Sequence, residues 1–271
     1  MSRLLKSDIN FIKAQIGAYD EHFREQTGCK MAEIAKKAVG YTQEECVVKT
    51  AVVPVTSGLG LISGFSQAVG AILRYAGAEV MITEKTDVAG LQHAFMSPCK
   101  LAFMADDDVC AAFGINAAAH SDNGWATGSG FAAALTEAMK KQGIDPVGQR
   151  VLIIGSGPVG QAAAEYIAQQ NAVPVICDLD QHKASALAAS LRNSQWVSAP
   201  APVKEYAYIV DASPAGNFIT GKDVRATTII AAPGMPCGVT PEATKKATVI
   251  HNPLELGIMT MYFDCLKQLE G

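Results

Sequence analysis

The sequence predicts an α/β fold, with N-terminal helices and a small parallel α/β domain ahead of a second parallel sheet. Strand-length apolar runs alternate with helical patterns along most of the chain, which is typical of parallel sheets with right-handed crossovers. A glycine-rich turn follows an apolar strand only after residue 148, so more than half of the 271 residues precede it. A chain of this length can bury two modest cores, and we therefore expect two domains.

Residues 2–39 predict two helices separated at Gly28. Ser7 and Asp8 are candidates to cap the first helix. A packing face is indicated by an apolar stripe at helical spacing, formed by Ile9, Ile12, Ile16, Tyr19 and Phe23. The pattern leaves open whether this face covers the first domain or a second subunit.

Three strands and two helices are predicted next, with the strands at 50–55, 79–83 and 101–104 and the helices at 61–75 and 88–96. Functional groups on parallel sheets lie just past the carboxyl ends of the strands. We therefore expect three polar clusters to converge there, namely Thr56-Ser57-Gly58-Leu59-Gly60, Thr83-Glu84 with Asp87, and Asp106-Asp107-Asp108.

Each cluster also has a purely structural interpretation. Ser57 is suited to capping the helix that opens near Leu61, and Glu84 and Asp87 are consistent with solvated loop charges. The three aspartates are consistent with an acidic turn. Adjacent like charges repel, however, and this favours a functional role for Asp106 or Asp107.

A turn is predicted at 120–124 and a long helix at 127–142, which Gly143 and Pro146 end. This helix is expected to bridge the two domains and to bring Asn123 and Thr127 near the cleft between them.

The glycine-rich turn directly follows an apolar strand at 151–154. Gly155 permits a tight turn, Gly157 lets the backbone approach a pyrophosphate, and Gly160 lets the next helix pack closely on its strand. The N-terminus of that helix, predicted at 161–170, offers unpaired N–H groups and partial positive charge to phosphates.

A second strand, at 173–177, ends at Asp178, eighteen positions after Gly160. A carboxylate there accepts hydrogen bonds from ribose hydroxyls, and no arginine follows it to receive a 2′-phosphate. Strand, glycines, helix, second strand and acid together predict a Rossmann domain that binds NAD rather than NADP.

Loops after the later strands, predicted at 206–211, 227–232 and 248–251, border the nicotinamide half of such a cofactor. A C-terminal helix is predicted at 259–269. The residues assigned to cofactor binding are Gly155, Ser156, Gly157, Pro158, Val159, Gly160, Asp178, Ser213, Pro214, Pro233 and Gly234. The predicted divisions are 1–125 for the first domain, 126–147 for the linking helix, 148–252 for the Rossmann domain and 253–271 for the C-terminal helix.

The composition limits the classes of partner that we expect the protein to bind. A net charge of −4 gives no electrostatic case for nucleic acid or an anionic membrane, and no apolar run reaches the length of a spanning helix. The N-terminus has no signal-peptide pattern, so we expect a cytoplasmic protein. The seven scattered cysteines, Cys46 among them, and five histidines show no metal-ligand spacing, and no metal is expected.

Several segments resemble the pyrrolysine synthase family, whose members are NAD-dependent, ring-forming dehydrogenases. These segments are 53–60 (Val-Pro-Val-Thr-Ser-Gly-Leu-Gly), 103–107 (Phe-Met-Ala-Asp-Asp), 233–237 (Pro-Gly-Met-Pro-Cys) and 253–257 (Pro-Leu-Glu-Leu-Gly). The resemblance runs through nearly the whole chain in the same order. One departure is Leu59, where archaeal members carry asparagine.

The resemblance implies a substrate amide that joins 3-methyl-D-ornithine to the ε-nitrogen of lysine. The terminal primary amine would be oxidised to an imine, ammonia released by hydrolysis, and the pyrroline ring closed by the α-amine. A carboxylate must hold the amine and accept its proton, and Asp106 is the first candidate with Asp107 the alternate. The residues assigned to the substrate are Leu4, Ser57, Gly58, Leu59, Gly60 and Asn123.

Two alternatives remain open. A shikimate- or methylenetetrahydrofolate-type dehydrogenase has a similar domain order, although the lysine of shikimate-type enzymes is missing after Thr56. A non-catalytic NAD-binding sensor is the other. A homodimer is common for this architecture and is expected on that ground alone.

Overall fold

Apolar strands assemble into two separate sheets, one of five strands and one of six. The computed structural model describes residues 4–43 and 47–270. Its first compact unit contains the described residues of Met1–Asp20, Met31–Ala126 and Leu254–Gly271, and its second contains Glu21–Lys30 and Thr127–Pro253. Ser2 and Arg3, with which the first helix was predicted to begin, and Cys46 lie outside the described residues. The domain boundaries drawn from the sequence remain a prediction.

The N-terminal segment forms three helices instead of the predicted two, namely α1 (Lys6–Ile9), α2 (Ile12–Thr27) and α3 (Met31–Val39). The predicted capping of α1 is confirmed for Asp8, which acts from within the first turn of the helix, but not for Ser7. Leu5 is the N-cap residue, and its backbone N–H donates to Oδ2 of Asp8 over 2.7 Å. The predicted packing face is confirmed by the burial of Ile9, Ile12, Ile16 and Phe23.

The five-stranded sheet of the first unit has the order β2-β1-β3-β4-β5. Its strands are β1 (Lys49–Val53), β2 (Glu79–Ile82), β3 (Leu101–Ala105), β4 (Cys110–Gly114) and β5 (His120–Asp122). The three predicted strands pair in parallel, but β3-β4 and β4-β5 pair antiparallel, so the sheet is mixed and not wholly parallel. The turn predicted at 120–124 is also wrong, since that stretch forms β5 and the start of the next helix.

Helices α4 (Phe65–Tyr75) and α5 (Asp87–Met96) connect the parallel strands of this sheet. The sequence predicted α4 from residue 61, but the helix begins at Phe65 after Gly64, whose φ is +88°. Helix α10 (Glu255–Glu270) packs against α3 and α4 in the same unit, and it starts four residues before the predicted position.

The six-stranded sheet of the second unit is wholly parallel, with the order β11-β10-β9-β6-β7-β8. Its strands are β6 (Arg150–Ile154), β7 (Val173–Asp178), β8 (Gln195–Ser198), β9 (Tyr208–Asp211), β10 (Ile229–Ala231) and β11 (Thr248–Ile250). This is the strand order of a Rossmann fold, in which the first strand of the motif lies at the centre. The predicted Rossmann domain is confirmed.

The remaining α-helices of the described residues are α6 (Asn123–Lys141), α7 (Pro158–Gln169), α8 (Gln181–Ser190) and α9 (Pro241–Thr244), and a short 3-10 helix spans Val203–Glu205. Strands β6 and β7 are almost continuously buried, and the alanines of α7 at 162–164 pack fully buried in the same unit. No helix among residues 4–43 and 47–270 is both long and apolar enough to cross a membrane.

Candidate functional site

The loop that follows β1 is held at its start by Asp87. The Thr56 backbone N–H donates to Oδ1 of Asp87 over 2.8 Å, and the Thr56 hydroxyl donates to Oδ2 over 2.7 Å. These hydrogen bonds, that of the backbone first, hold the pKa of the Asp87 carboxyl below its usual range. Asp87 is thus engaged with the loop, and its interpretation as a purely solvated charge is wrong.

Asp107 holds the middle of the same loop. Its Oδ2 accepts the backbone N–H of Leu59 over 2.5 Å. Gly58 lies directly against this carboxylate with φ at +70°, and a Cβ there would lie 2.2 Å from Oδ2, so a side chain is excluded. The predicted convergence of the three strand ends is therefore confirmed for Thr56, Asp87 and Asp107.

The Leu59 side chain is 78% exposed. The hydrogen bond to Asp107 uses the backbone, so it does not depend on an asparagine side chain at position 59. Ser57 does not cap α4, since Gly64 is the N-cap residue and residues 57–60 form a turn closed by a bond from the Gly60 N–H to the Ser57 carbonyl over 3.3 Å.

Asp106 closes the turn between β3 and β4. Its Oδ1 accepts the backbone N–H groups of Asp108, over 2.9 Å, and Val109, over 2.8 Å. The bond from Val109 and then that from Asp108 hold the pKa of the Asp106 carboxyl below its usual range. The exposed carboxylate is therefore ionised and anchored through Oδ1, and neither of these two bonds uses Oδ2.

Two further substrate-binding candidates of the first unit, Asn123 and Leu4, lie outside the 56–60 loop. Asn123 is the first residue of α6, directly after Asp122, whose Oδ1 accepts the N–H groups of Gly124 and Trp125. Leu4 is half-buried ahead of α1, which packs against α4. The capping role of Asp122 was missed because the strand before it was missed.

In the second unit, the three glycines of the motif have the geometry that a phosphate-binding loop requires. Gly155 has φ at +101°, and a Cβ at Gly160 would lie 1.9 Å from the Gly155 carbonyl oxygen. A Cβ at Gly157, in contrast, would meet nothing within 4 Å. Gly157 precedes Pro158 and Val159 at the start of α7, where no side chain caps the helix. This N-terminus is open to an anionic ligand.

Asp178 lies at the end of β7 and contacts that loop. Its Oδ2 accepts both the backbone N–H and the hydroxyl of Ser156, each over 2.7 Å, and its Oδ1 accepts the Asp180 N–H over 2.9 Å. Burial favours a higher pKa for this carboxyl, but the bonds from Asp180 and Ser156 and the Lys183 charge outweigh it and lower the pKa. Asp178 is therefore an anion beside the phosphate-binding loop.

The segments after β9 and β10 are in close contact. A Cβ at Gly234 would lie 2.4 Å from the Ser213 carbonyl oxygen, so Ser213 and Gly234 are brought together as predicted candidates. Pro233 is half-buried beside Gly234, and Pro214 is exposed beside Ser213.

Asp211 is a residue that sequence reasoning missed. It is fully buried at the end of β9, and its Oδ1 accepts the Ser213 hydroxyl over 2.7 Å and the Ser213 N–H over 3.1 Å. Burial raises the pKa of this carboxyl to about 6, against the opposing effects of Ser213 and His251. The available signal was an acid that ends an apolar strand of a Rossmann sheet.

Comparisons with known proteins agree with this geometry. Residues 120–181 match the Glutamate/Leucine/Phenylalanine/Valine dehydrogenase family. The structure of quinate dehydrogenase from Corynebacterium glutamicum in complex with NAD is similar in fold, with a TM-score of 0.52 and 13% identity over 79% of this chain and 91% of that chain. The second unit is an NAD(P)-binding Rossmann domain like those of NAD-bound dehydrogenase structures.

The similarity over the whole chain is more specific. Residues 8–121 match the family described as pyrrolysine biosynthesis protein PylD, N-terminal domain. The chain is 29% identical to pyrrolysine synthase of Methanosarcina barkeri, over 98% of each sequence. It is 27% identical to pyrrolysine synthase of Methanosarcina acetivorans, over 98% of this chain and 100% of the relative. The protein is a homologue of pyrrolysine synthase.

Substitutions of Gly157 and Gly160 are expected to have different effects on stability and on NAD binding. Gly157→Ala is expected to leave the melting temperature of the ligand-free protein nearly unchanged, because the new Cβ meets nothing, yet to weaken NAD binding at least about tenfold by blocking the close approach of the pyrophosphate. Gly160→Ala is expected to lower the melting temperature, because its Cβ overlaps the Gly155 carbonyl. Calorimetric melting and NAD titration of both variants provide the measurement. Unaltered NAD affinity in Gly157→Ala would contradict the assignment.

The buried Asp211 predicts a pH-dependent stability. Its pKa is raised from 3.8 to about 6, so its favourable contribution is complete below about pH 3.8 and is lost as the pH rises through about 6. From pH 4 to pH 7, the unfolding free energy of Asp211→Asn should rise relative to that of the wild type by up to about 3 kcal/mol, since each pKa unit corresponds to about 1.4 kcal/mol.

Denaturant unfolding at several pH values measures this difference. Asp223→Asn is the matched control, because Asp223 accepts the N–H and hydroxyl of Thr220 in the same manner but at a more exposed position, where those bonds lower its pKa. The control should show the opposite sign, with stability lost relative to the wild type as the pH rises from 3 to 7. A pH-independent difference for Asp211→Asn would contradict the prediction.

Proposed function

We propose that this protein is an NAD-dependent dehydrogenase that oxidises a primary amine in an amide of 3-methyl-D-ornithine with the ε-nitrogen of lysine. The product is the pyrroline ring of pyrrolysine. The observation that carries the proposal is the anchored Asp106–Asp107 turn beside the glycine loop, in a chain whose similarity to pyrrolysine synthases covers 98% of its length.

The proposed reaction has three steps. A hydride leaves the carbon that bears the terminal amine, and a proton leaves the nitrogen, so that a C=N bond forms. Water adds to this imine and ammonia departs, which leaves an aldehyde. The α-amine of the ornithine part then attacks the aldehyde and loses water to close the ring. When bound, NAD supplies the acceptor for the hydride.

Asp106 is the residue that we assign to the reacting amine. An ammonium group does not release hydride, so the amine must first be held and deprotonated. Oδ1 is occupied by the turn, Oδ2 takes no part in those two bonds, and the lowered pKa keeps the carboxylate ionised as a counter-ion at neutral pH. A carboxylate with a low pKa is a weak base, so it accepts the proton only in passing and releases it to solvent.

Asp107 and Asp87 are assigned to positioning. Together they fasten the 56–60 loop at Leu59 and Thr56, so the loop is ordered before a ligand arrives. The Ser57 hydroxyl and the backbone of Gly58 and Gly60 then offer polar groups to the substrate amide. Leu4 and Asn123 stay as predicted contacts. Preorganisation of this kind lowers the entropic cost of binding.

Purified protein with NAD and the amide substrate should form NADH and ammonia in equal amounts, followed by the cyclic imine. Asp106→Asn should retain the fold and lower kcat about a hundredfold or more, because the amide side chain neither balances the ammonium charge nor accepts its proton. NADH absorbance and an ammonia assay measure both outcomes.

Asp108→Asn is the control, since it removes one negative charge from the same turn while leaving the Asp106 contacts in place. It should keep most of the activity. Full activity in Asp106→Asn would remove Asp106 from the mechanism, and absence of NADH formation by the wild type would contradict the proposed function.

The cofactor preference follows from Asp178. An anionic carboxylate at this position repels a 2′-phosphate and accepts the ribose hydroxyls, so NAD should bind at least about tenfold more tightly than NADP. Asp178→Ser should reduce or reverse that ratio, as measured by calorimetric titration. Asp180→Asn, two residues away at the N-cap of α8, should keep the ratio. Equal affinity of the wild type for the two cofactors would contradict the assignment.

A further inference from the structure

One oxygen of the Asp211 carboxyl has a partner and the other does not. Oδ1 accepts both the N–H and the hydroxyl of Ser213. Oδ2 is buried and accepts no hydrogen bond within the part of the chain that the structure describes. Its neighbour is Gly238, where a Cβ would lie 1.9 Å from Oδ2, so the site tolerates no side chain at that position. A buried acceptor without a hydrogen bond destabilises the folded state, so its presence calls for an explanation.

The effect of Asp211 on Ser213 is specific. The single hydroxyl proton of Ser213 is committed to Oδ1, so Ser213 Oγ can only accept a further hydrogen bond. Ser213 lies past the carboxyl end of β9, where a Rossmann sheet receives the nicotinamide nucleoside. Its backbone carbonyl lies close to Gly234 in the segment after β10, where an added Cβ would lie 2.4 Å from the carbonyl oxygen.

We propose that Asp211 is a positioning residue that turns the Ser213 hydroxyl into a fixed acceptor for an N–H or O–H donor of the nicotinamide nucleoside. This inference rests on the proposed use of NAD. The donor is either the carboxamide N–H of the nicotinamide or a hydroxyl of its ribose.

The strength of this arrangement depends on the charge of Asp211. The titratable groups that face it are His251, from the end of β11, and Cys237, from the segment after β10. The His251 ring is held by a contact of 2.6 Å between its Nδ1 and the Ala232 carbonyl oxygen. Burial outweighs the attraction of His251, and the carboxyl changes charge near pH 6. An ionised acceptor makes stronger hydrogen bonds, so Ser213 is held more firmly above this pH than below it.

NAD binding to the full-length protein, measured by calorimetry at pH 5 and pH 7.5, tests the proposal. The wild type should bind about fivefold more tightly at pH 7.5, because an ionised Asp211 polarises the Ser213 hydroxyl and makes its oxygen a stronger acceptor for NAD. Asp211→Asn should bind with the same affinity at both pH values. Ser213→Ala should bind more weakly at pH 7.5, and its pH ratio should also fall to about one, since the effect acts through the hydroxyl.

Asp223→Asn is the matched control and should keep the wild-type ratio, because its equivalent bonds to Thr220 lie elsewhere in the same unit. Nicotinic acid adenine dinucleotide, which lacks the carboxamide N–H, identifies the donor. If the donor is the carboxamide, Ser213→Ala loses affinity for NAD only, and if it is a ribose hydroxyl, affinity for both dinucleotides falls.

Three results would overturn the inference while leaving the use of NAD intact: a wild-type ratio of one, the same ratio in Asp211→Asn as in the wild type, or the wild-type ratio persisting in Ser213→Ala. Should Asp211→Asn fail to fold, the ratio in Ser213→Ala decides alone. Absence of NAD binding by the wild type at both pH values would instead overturn the proposed cofactor and this inference together.

Discussion

Near strand ends of both sheets, one aspartate accepts the backbone N–H and the hydroxyl of a single serine or threonine. The pairs are Asp87 with Thr56, Asp178 with Ser156 and Asp211 with Ser213. A loop that leaves a parallel strand carries N–H groups without a ladder partner, and a carboxylate satisfies them. The 56–60 loop, the phosphate-binding loop and the segment after β9 all take their local geometry from this one interaction.

Burial makes these similar pairs chemically different. Where the carboxylate is exposed or half-buried, as in Asp87 and Asp178, the hydrogen bonds prevail and the pKa falls. Where it is fully buried, as in Asp211, desolvation prevails and the pKa rises to about 6. One motif therefore yields two fixed anions and one group that titrates near neutrality.

The sequence was sufficient for features that depend on local pattern. The Rossmann motif, its helix and Asp178 follow from glycine spacing and apolar runs, and the parallel strands β1, β2 and β3 were found in the same way. The hairpin of β4 and β5 was missed, because Cys-Ala-Ala-Phe-Gly lacks β-branched residues and its pairing is set by the Asp106 turn. Strand β8 was missed because it is a short and mostly exposed edge strand.

The candidate site was predicted to a similar extent. The convergence of strand ends predicted that Asp107 lies beside the glycine loop. It did not predict the partner of Asp107, because the bond is to the backbone of Leu59. The different uses of Asp106 and Asp107 also depend on which N–H groups each carboxylate reaches. Asp211 is ordinary in sequence and becomes distinctive only through burial, which is a property of the assembled sheet.

The position of α10 bears on how the chain acquires its structure during synthesis. Its sequence begins more than two hundred residues after α3, yet it packs against α3 and α4. The second unit draws most of its residues from one continuous stretch, 127–253. During synthesis on the ribosome, the nucleotide-binding sheet can therefore assemble before α10, which packs against α3 and α4 of the first unit, has been translated. The first unit would then be completed last, although most of it is translated first.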